Sequence, residues 1–354
     1  MREDAALAAL CIGAIVLLSH ARSAAASTQK PPAKGPARGA ARRWRGLPVP
    51  FFFQAPTAEA FQALDVRPDD VVMSSLVKGG TTWCHKIIFS LLHGIDDSGE
   101  LVSSAAGTVG SKGQVYPDAI VLRRGAPPDP ANTPEMDAGR QKFFGDWTFE
   151  DDLCGQPSPR LFSTHLPAEH LPAALVAPDG KGRLVVVLRN LKDVLASLHY
   201  FRGEPKDGWL GNEHGPGSLA RFLDPECPNA YGSVFDFVRG HDALAKRLGA
   251  RVHVVYYEEL QRDLRGELER LASFLGASLP PAKLDAIVAA VAFDAMKQSG
   301  DMSVVMRKGG VGDWRNHLSR EHWQAFDAAF DAALDGVALA EPMRPHMAWV
   351  EPDA

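Results

Sequence analysis

The stretch from Val71 to Leu92 places the strongest constraint on how this chain can fold. It reads VVMSSLVKGGTTWCHKIIFSLL and begins with a short apolar run that is typical of a buried strand. Gly79 and Gly80 then allow a tight turn, and apolar residues from Trp83 onward recur at helical spacing. A strand that turns into a helix in this way directs free N–H groups and the positive end of the helix dipole at one point. The stretch therefore predicts a site for a phosphate-like anion, with Lys78 as an additional positive charge.

This predicted loop differs from the standard nucleotide-triphosphatase loop. That pattern has a glycine five residues before a Gly-Lys-Ser/Thr triplet, whereas here the lysine precedes the glycines. Thr81 or Thr82 is placed to cap the helix that follows. Taken alone, the KGG run is equally consistent with an ordinary strand-to-helix turn beside a solvated lysine, so other segments must decide between the two interpretations.

A second strand followed by polar residues is predicted at Leu184–Leu188. This continuous apolar run is typical of a central parallel strand that is buried on both faces. Arg189 follows its carboxyl end, and Ser197 lies eight residues further along a predicted helix. At this edge of a parallel sheet both side chains can reach one ligand phosphate. Each of them alone is also consistent with a solvated surface residue.

Three further segments carry candidate site residues. A short strand over residues 160–163 precedes His165, although a lone histidine in such a turn is more often structural than catalytic. Another buried strand is predicted over residues 252–257 and ends at Tyr257. Arg307, Lys308 and Gly309 belong to a basic glycine-rich loop, for which anion binding competes with mere surface charge.

These segments together resemble the motifs of the cytosolic sulfotransferases. Residues 78–83 resemble the family's 5'-phosphosulfate loop, PKSGTTW, and residues 189–201 match its 3'-phosphate element, RNxKDVxxSxxxF. The segment around His165 resembles K-[TV]-H-x-P, residues 291–297 resemble TSFxxMK, and residues 306–315 resemble RKGxxGDWK. The resemblance spans roughly residues 46–330, and its motifs follow the family order.

The resemblance implies a fold and a reaction. The fold is a single α/β domain with a mainly parallel central sheet flanked by helices and a P-loop-like 5'-phosphosulfate loop. The reaction is sulfuryl transfer from 3'-phosphoadenosine 5'-phosphosulfate (PAPS) to a hydroxyl or amine of a small acceptor, which leaves adenosine 3',5'-bisphosphate (PAP). Neither a metal ion nor a nucleic acid partner is expected.

The resemblance also implies roles for individual residues. His165 acts as the general base, Lys78 neutralises the leaving phosphate, and Ser197 holds Lys78 away until the acceptor arrives. Trp83 and Phe293 sandwich the adenine. The implied cosubstrate-binding residues are Lys78, Gly79, Gly80, Thr81, Thr82, Trp83, Arg189, Ser197, Tyr257, Phe293, Met296, Arg307, Lys308 and Gly309.

Two departures from the family pattern support a rival hypothesis. Ser163 stands where the family has a lysine that faces the sulfuryl group, and Val291 replaces a threonine. A catalytically weakened nucleotide-binding protein of the same fold is therefore the alternative to an active enzyme. A kinase-like phosphotransferase fits less well, because no paired acidic residues are plainly placed to hold Mg²⁺. The family's dimer segment, KxxxTVxxxE, reads RNHLSREHWQ over residues 315–324, so the oligomeric state stays open.

The front of the chain differs from the rest in charge and composition. Residues 1–45 carry eight Lys or Arg against two acidic residues, a net charge of +6, although the whole chain carries −5. An apolar run over residues 5–18 has the length of a signal-peptide core rather than of a membrane span, and a basic linker rich in Pro and Ala follows. We predict a targeting segment over residues 1–45 and the catalytic domain over residues 46–350. The destination is open between the secretory pathway, where an anchored carbohydrate sulfotransferase would lie, an organelle and the cytoplasm.

The remaining sequence indicates where the acceptor binds. Residues 94–150 and 203–230 are rich in Gly, Pro and Asp and show little periodicity, which is typical of functional loops. We expect the acceptor pocket to be built from these two segments. The four cysteines are widely spaced and form no CxxC pair, so we expect neither a disulfide framework nor a cysteine metal site.

Overall fold

The computed structural model describes residues 42–94, 116–201, 219–224, 230–298 and 308–349. The predicted targeting run over residues 5–18 and the candidate phosphate ligand Arg307 lie outside the described residues. Within these ranges, no helix combines the length and the apolar character needed to cross a membrane.

A four-stranded sheet forms the centre of the molecule. Its strands are β3 (Val71–Ser75), β4 (Leu161–Thr164), β5 (Arg183–Leu188) and β6 (Val252–Tyr256), in the order β4-β3-β5-β6. All three pairs of neighbouring strands are parallel. The mainly parallel sheet predicted from the apolar runs is therefore confirmed, and the carboxyl ends of all four strands meet at one edge.

The strands are apolar on both faces because helices cover both faces. Val72 and Val186 belong to a large core on one side, whereas Met73, Val185 and Val187 belong to a second core on the other side. Alternate side chains of a strand point to opposite faces, so a strand covered on both sides needs the continuous apolar run that the sequence shows.

The helices account for most of the remaining described residues. In chain order they are α1 (Ala55–Gln62), α2 (Thr81–His93), α3 (Pro134–Phe144), α4 (Ala173–Val176), α5 (Leu191–Phe201), α6 (Leu219–Leu223), α7 (Val234–Leu248), α8 (Tyr257–Arg262), α9 (Leu264–Leu275), α10 (Pro281–Val291), α11 (Phe293–Gln298), α12 (Arg320–Leu334) and α13 (Arg344–Met347). Helix α3 falls within the segment for which the sequence indicated little periodicity.

A short hairpin at the front of the described chain belongs to the packed domain. It consists of β1 (Arg43–Trp44) and β2 (Leu47–Pro48). The Trp44 ring is buried against the Phe53 ring, with 5.2 Å between the ring centroids. Residues 43 and 44, which the prediction placed in the targeting segment, therefore belong to the packed domain, because Trp44 contributes to the core.

Candidate active site

The glycine loop lies between β3 and α2 at the carboxyl edge of the sheet. The Gly79 N–H donates to the carbonyl of Leu76 over 2.9 Å and closes the turn. Gly80 caps α2 with φ +105°, and its cap carries no side-chain hydrogen bond. The predicted capping by Thr81 or Thr82 is therefore wrong, because Thr81 is already the first helical residue. Lys78 also has a positive φ, +68°, which is uncommon for a residue other than glycine and typical of functional sites.

A tyrosine at the start of α8 explains why Gly80 must be glycine. A Cβ atom at Gly80 would lie 2.7 Å from the Tyr257 ring, which is closer than such atoms approach. Tyr257 directly follows β6, and its hydroxyl donates to the carbonyl of Gly309 over 2.8 Å. One aromatic side chain thus holds the loop after β3 next to the basic glycine-rich loop, although the two lie far apart in sequence.

His165 directly follows β4 and is buried next to the end of β3. Its Nδ1 lies 2.8 Å from the carbonyl oxygen of Ser75. Since a carbonyl only accepts, Nδ1 carries the proton, and the lone pair of the neutral ring stays on Nε2. The Ser75 hydroxyl also contacts the Thr81 hydroxyl at 2.7 Å and thus connects this histidine to the first turn of α2. His165 is therefore presented with one nitrogen fixed and the other able to take a proton.

Burial keeps the His165 ring neutral. It lowers the pKa of His165 to about 4, against the opposing effect of the Ser75 carbonyl, and the positive charge of Lys78 lowers this pKa further. A histidine with this pKa is unprotonated at neutral pH, which is the state that a general base requires.

Arg189 joins the two predicted anion-binding loops. It directly follows β5, and its side chain is 11% exposed. Its guanidinium donates to the carbonyl of Gly310 at 3.1 Å and to that of Lys78 at 3.5 Å. The same guanidinium lies 4.3 Å above the Tyr257 ring, in cation–π geometry. Its Nε is buried and has no hydrogen-bond partner among the described residues, so Arg189 retains a donor for a further acceptor.

The glycine-rich loop after α11 is fixed by a carboxylate that the sequence motifs did not assign to the site. Asp193, in the first turn of α5, accepts from the N–H groups of Gly312 at 2.7 Å and Trp314 at 3.0 Å. Lys308 is exposed and forms a 2.8 Å ion pair with Asp313. Gly309 has φ +70°, and the hydrogen bond from Arg189 to the carbonyl of Gly310 places the described part of this basic glycine-rich loop beside Arg189.

The aromatic residues predicted to bind adenine lie together but not as parallel plates. The Trp83 and Phe293 rings meet edge to face, at 82° with 6.1 Å between centroids. The Trp83 indole N–H donates to the carbonyl of Val291 over 2.7 Å, which holds the ring in that orientation. The predicted binding of adenine between these two rings stays a prediction. Met296 is buried in the same core, whereas Ser197 on α5 is partly exposed.

Ser163 has a different partner from the one that the missing lysine would suggest. It lies in β4 and is 1% exposed, and its hydroxyl is 2.6 Å from Nδ1 of His85 on α2. Burial lowers the pKa of His85 to about 3, so this ring is neutral. The position at which the family pattern has a cation therefore holds a neutral hydrogen-bonded pair.

Three residues near His165 could not be identified from the periodicity of the sequence, because Tyr116 and Asp118 lie in the irregular segment 94–150 and Tyr231 directly follows the irregular segment 203–230. The Tyr116 and Tyr231 rings approach the His165 ring, with centroids at 4.7 Å and 5.5 Å. Asp118 accepts a short hydrogen bond from the Tyr231 hydroxyl. Tyr231 and His165 also line a small cavity of about 30 Å³ with otherwise apolar walls. The only sequence signal was the Tyr-Gly pair at residues 231–232, which is typical of a turn.

The fold and the site define a class of protein. A loop between strand and helix, an arginine between two loops and a neutral histidine all lie at the carboxyl edge of a parallel sheet, where α/β proteins bind phosphorylated ligands. In the described part of the chain, no group of three or more His, Cys, Asp or Glu side chains is arranged to hold a metal ion.

Comparison with known proteins identifies the family. The family model described as "Sulfotransferase domain" matches residues 68–338. Mouse sulfotransferase 2B1 is 28% identical over 314 residues, which cover 83% of this chain and 80% of that protein. Human sulfotransferase 6B1 is 28% identical over 316 residues, which cover 85% and 88%. The chain therefore belongs to the sulfotransferase family and is an enzyme of that class.

Solved structures agree with this assignment at the level of the fold. Mouse sulfotransferase SULT7A1 complexed with PAP aligns with a TM-score of 0.63 at 22% identity and covers 86% of this chain and 98% of that chain. Retinol dehydratase, in complex with androsterone and the inactive cofactor PAP, aligns with a TM-score of 0.55 at 20% identity and covers 80% and 85%. The α/β fold and the family predicted from the sequence are thus confirmed.

Proposed function

We propose that this sulfotransferase uses PAPS as donor and transfers its sulfuryl group to a hydroxyl or amine of a small acceptor, with His165 as base. The observation that carries the proposal is the hydrogen bond from His165 Nδ1 to the Ser75 carbonyl at 2.8 Å. It leaves the lone pair on Nε2, and burial keeps the ring unprotonated at neutral pH. The related structures whose names include PAP support the choice of donor.

In the proposed transfer step, His165 acts on the acceptor and the glycine loop acts on the leaving phosphate. The acceptor oxygen attacks sulfur while Nε2 of His165 takes its proton, and the bond between sulfur and the bridging oxygen of the 5'-phosphate breaks. Lys78 and the N–H groups of Gly80 and Thr81 stabilise the charge that develops on the leaving phosphate. The products are the sulfated acceptor and PAP, so atoms and charge balance without an oxidant.

The second loop holds the other end of the donor. Arg189 and Lys308 supply positive charge for the 3'-phosphate, and the planar fork of arginine suits phosphate oxygens. The neutral pair of Ser163 and His85 leaves Lys78 as the cation that serves the sulfuryl group. Trp83 and Phe293, which are predicted to lie on either side of the adenine, supply aromatic surface for that base.

A pair of histidine variants tests the role of His165. His241 is a matched control, because its Nδ1 also lies 2.8 Å from a backbone carbonyl, that of Phe237, and burial also lowers its pKa to about 4. We expect His165→Gln to lower kcat with PAPS and a phenol panel ~10²–10⁴-fold and to leave the Kd for PAP unchanged. His241→Gln is expected to retain turnover.

Two results would contradict the proposal. Equal losses in the two histidine variants would show that His165 is only structural. Binding of PAP by the wild-type chain without turnover of any acceptor would favour the rival hypothesis of a catalytically weakened nucleotide-binding protein.

A further inference from the structure

Asp118 is a buried carboxylate that the proposed chemistry leaves without a role. Its side chain has no exposed surface, and it lies in the turn Pro117–Ala119, directly after Tyr116. One carboxylate oxygen accepts from the Tyr231 hydroxyl. The other oxygen, Oδ1, is buried and has no hydrogen-bond partner among the described residues. Because an unpaired buried carboxylate oxygen is costly, this arrangement is not one that stability alone would favour.

Tyr231 is held in a strained backbone conformation. Its φ is +68°, in the left-handed region, which is unfavourable for a residue with a side chain. Two contacts far apart in sequence maintain it: its N–H donates to the carbonyl of Pro48 over 2.7 Å, and its hydroxyl donates to Asp118. Such strain persists only where the surrounding structure fixes the residue.

The strained tyrosine lies beside the histidine to which the proposed function assigns the role of base. Its ring and His165 both line the cavity, whose other walls include Leu76, Leu198 and Phe237. Tyr231 therefore forms one wall beside the base. The position of that wall depends on Asp118, which is not itself one of the lining residues.

We propose that Asp118 is a positioning residue that, through its hydrogen bond to Tyr231, fixes the wall against which the acceptor is aligned with His165. This inference rests on the proposed function, because it assigns the acceptor to the cavity beside the base. The donor site lies on the other loops, so the proposal predicts a defect that is specific to the acceptor.

Single-atom changes separate this role from a general effect on stability. Tyr231→Phe removes only the hydroxyl, and Asp118→Asn removes the charge while keeping the shape. Tyr256→Phe is the matched control, because the hydroxyl of Tyr256 also donates one hydrogen bond, to the carbonyl of Leu339 at 3.2 Å. Each full-length variant is titrated with PAP, melted, and assayed for acceptor KM and kcat with PAPS and the phenol that the wild type sulfates fastest.

Asp118→Asn and Tyr231→Phe are each expected to raise the acceptor KM about tenfold. The double variant is expected to be no worse than the poorer single variant, because both changes act on the same hydrogen bond, which Tyr231→Phe removes and Asp118→Asn weakens by removing the charge of the acceptor. The Kd for PAP is expected to stay unchanged. Tyr256→Phe is expected to lower the melting temperature without changing the acceptor KM. Lower melting temperatures with unchanged acceptor KM in all three variants would overturn the inference.

The inference and the proposed function fail in different ways. If the wild type binds PAP but sulfates no hydroxyl or amine acceptor, the proposed function fails, and the inference is then judged by titrating phenol into the PAP-loaded protein. Phenol binding that Asp118→Asn weakens about tenfold supports the inference even then. Phenol binding that the substitution does not change, or no phenol binding at all, overturns it.

Discussion

From the low pKa values of three buried histidines, we predict that this enzyme unfolds at a higher pH than the pH at which His165 becomes protonated in the native state. Burial lowers the pKa of His85 to about 3 and those of His165 and His241 to about 4. In the unfolded chain each histidine titrates near its ordinary value of about 6.5. Between these values the unfolded state binds more protons, so the free energy of unfolding falls as the pH falls from about 6.5 to about 4.

The size of this effect follows from the pKa differences. At pH 5 each of the three histidines lowers the free energy of unfolding by about 2 kcal/mol relative to alkaline pH, or about 6 kcal/mol together. Asp118 acts in the opposite direction, because burial raises its pKa to about 6. At pH 5 it therefore raises the free energy of unfolding by about 1 kcal/mol. The net loss of about 5 kcal/mol is comparable to the whole stability of many domains, roughly 5–15 kcal/mol.

Protonation of His165 within the folded enzyme has a much smaller effect at the same pH. With a pKa of about 4, only about a tenth of the folded molecules carry a charged His165 at pH 5. Activity is therefore expected to fall below pH 6 in parallel with loss of folded protein, and kcat per folded molecule is expected to stay nearly constant down to pH 5.

Urea unfolding followed by tryptophan fluorescence, repeated from pH 7.5 to pH 5, measures this linkage. His241→Gln keeps a donor for the Phe237 carbonyl but cannot titrate. Relative to wild type, its free energy of unfolding is expected to be about 2 kcal/mol higher at pH 5 than at pH 7.5, so the variant gains stability over wild type as the pH falls. Parallel pH dependences of wild type and variant would refute the reasoning, as would a kcat per folded molecule that halves near pH 6.5.

Three further substitutions test the donor site and the pair beneath it. Arg189→Ala is expected to cost about 2 kcal/mol of PAP binding free energy, which calorimetry would record as a roughly 30-fold rise in Kd. The control Arg251→Ala removes an arginine that donates to the carbonyls of Leu175 and Ala177 and is expected to leave that Kd unchanged. Equal Kd values for the two variants would contradict the bridging role of Arg189. Gly80→Ala places a side chain at φ +105° and against the Tyr257 ring, so we expect the free energy of unfolding measured with urea to fall by about 2 kcal/mol. A variant as stable as wild type would show that the loop adjusts. Ser163→Lys places a charge in a buried site beside neutral His85 and is expected to destabilise the fold by about 3 kcal/mol; raised turnover at unchanged stability would show that the enzyme lacks only the cation.

Local patterns in the sequence determine a large part of this fold and site. The apolar runs at Val71–Met73 and Leu184–Leu188 form parallel strands, as predicted, because a run without polar interruption is stable only where both faces are covered. The structure adds that the two strands are adjacent. Gly79 and Gly80 follow the first strand and Arg189 follows the second. Once the strands are parallel and adjacent, these residues must meet at one edge of the sheet.

The contacts that tune the chemistry have no comparable signal in the sequence, and they depend on the tertiary structure. The Ser75 carbonyl that sets the protonated nitrogen of His165 lies 90 positions away in sequence, and Asp118 lies 113 positions from the tyrosine that it fixes. The edge-to-face meeting of Trp83 and Phe293 depends on a hydrogen bond from the indole to a helix end. Periodicity and loop motifs report which faces are buried and where the backbone turns, whereas pairings between distant side chains exist only after packing has brought the segments together.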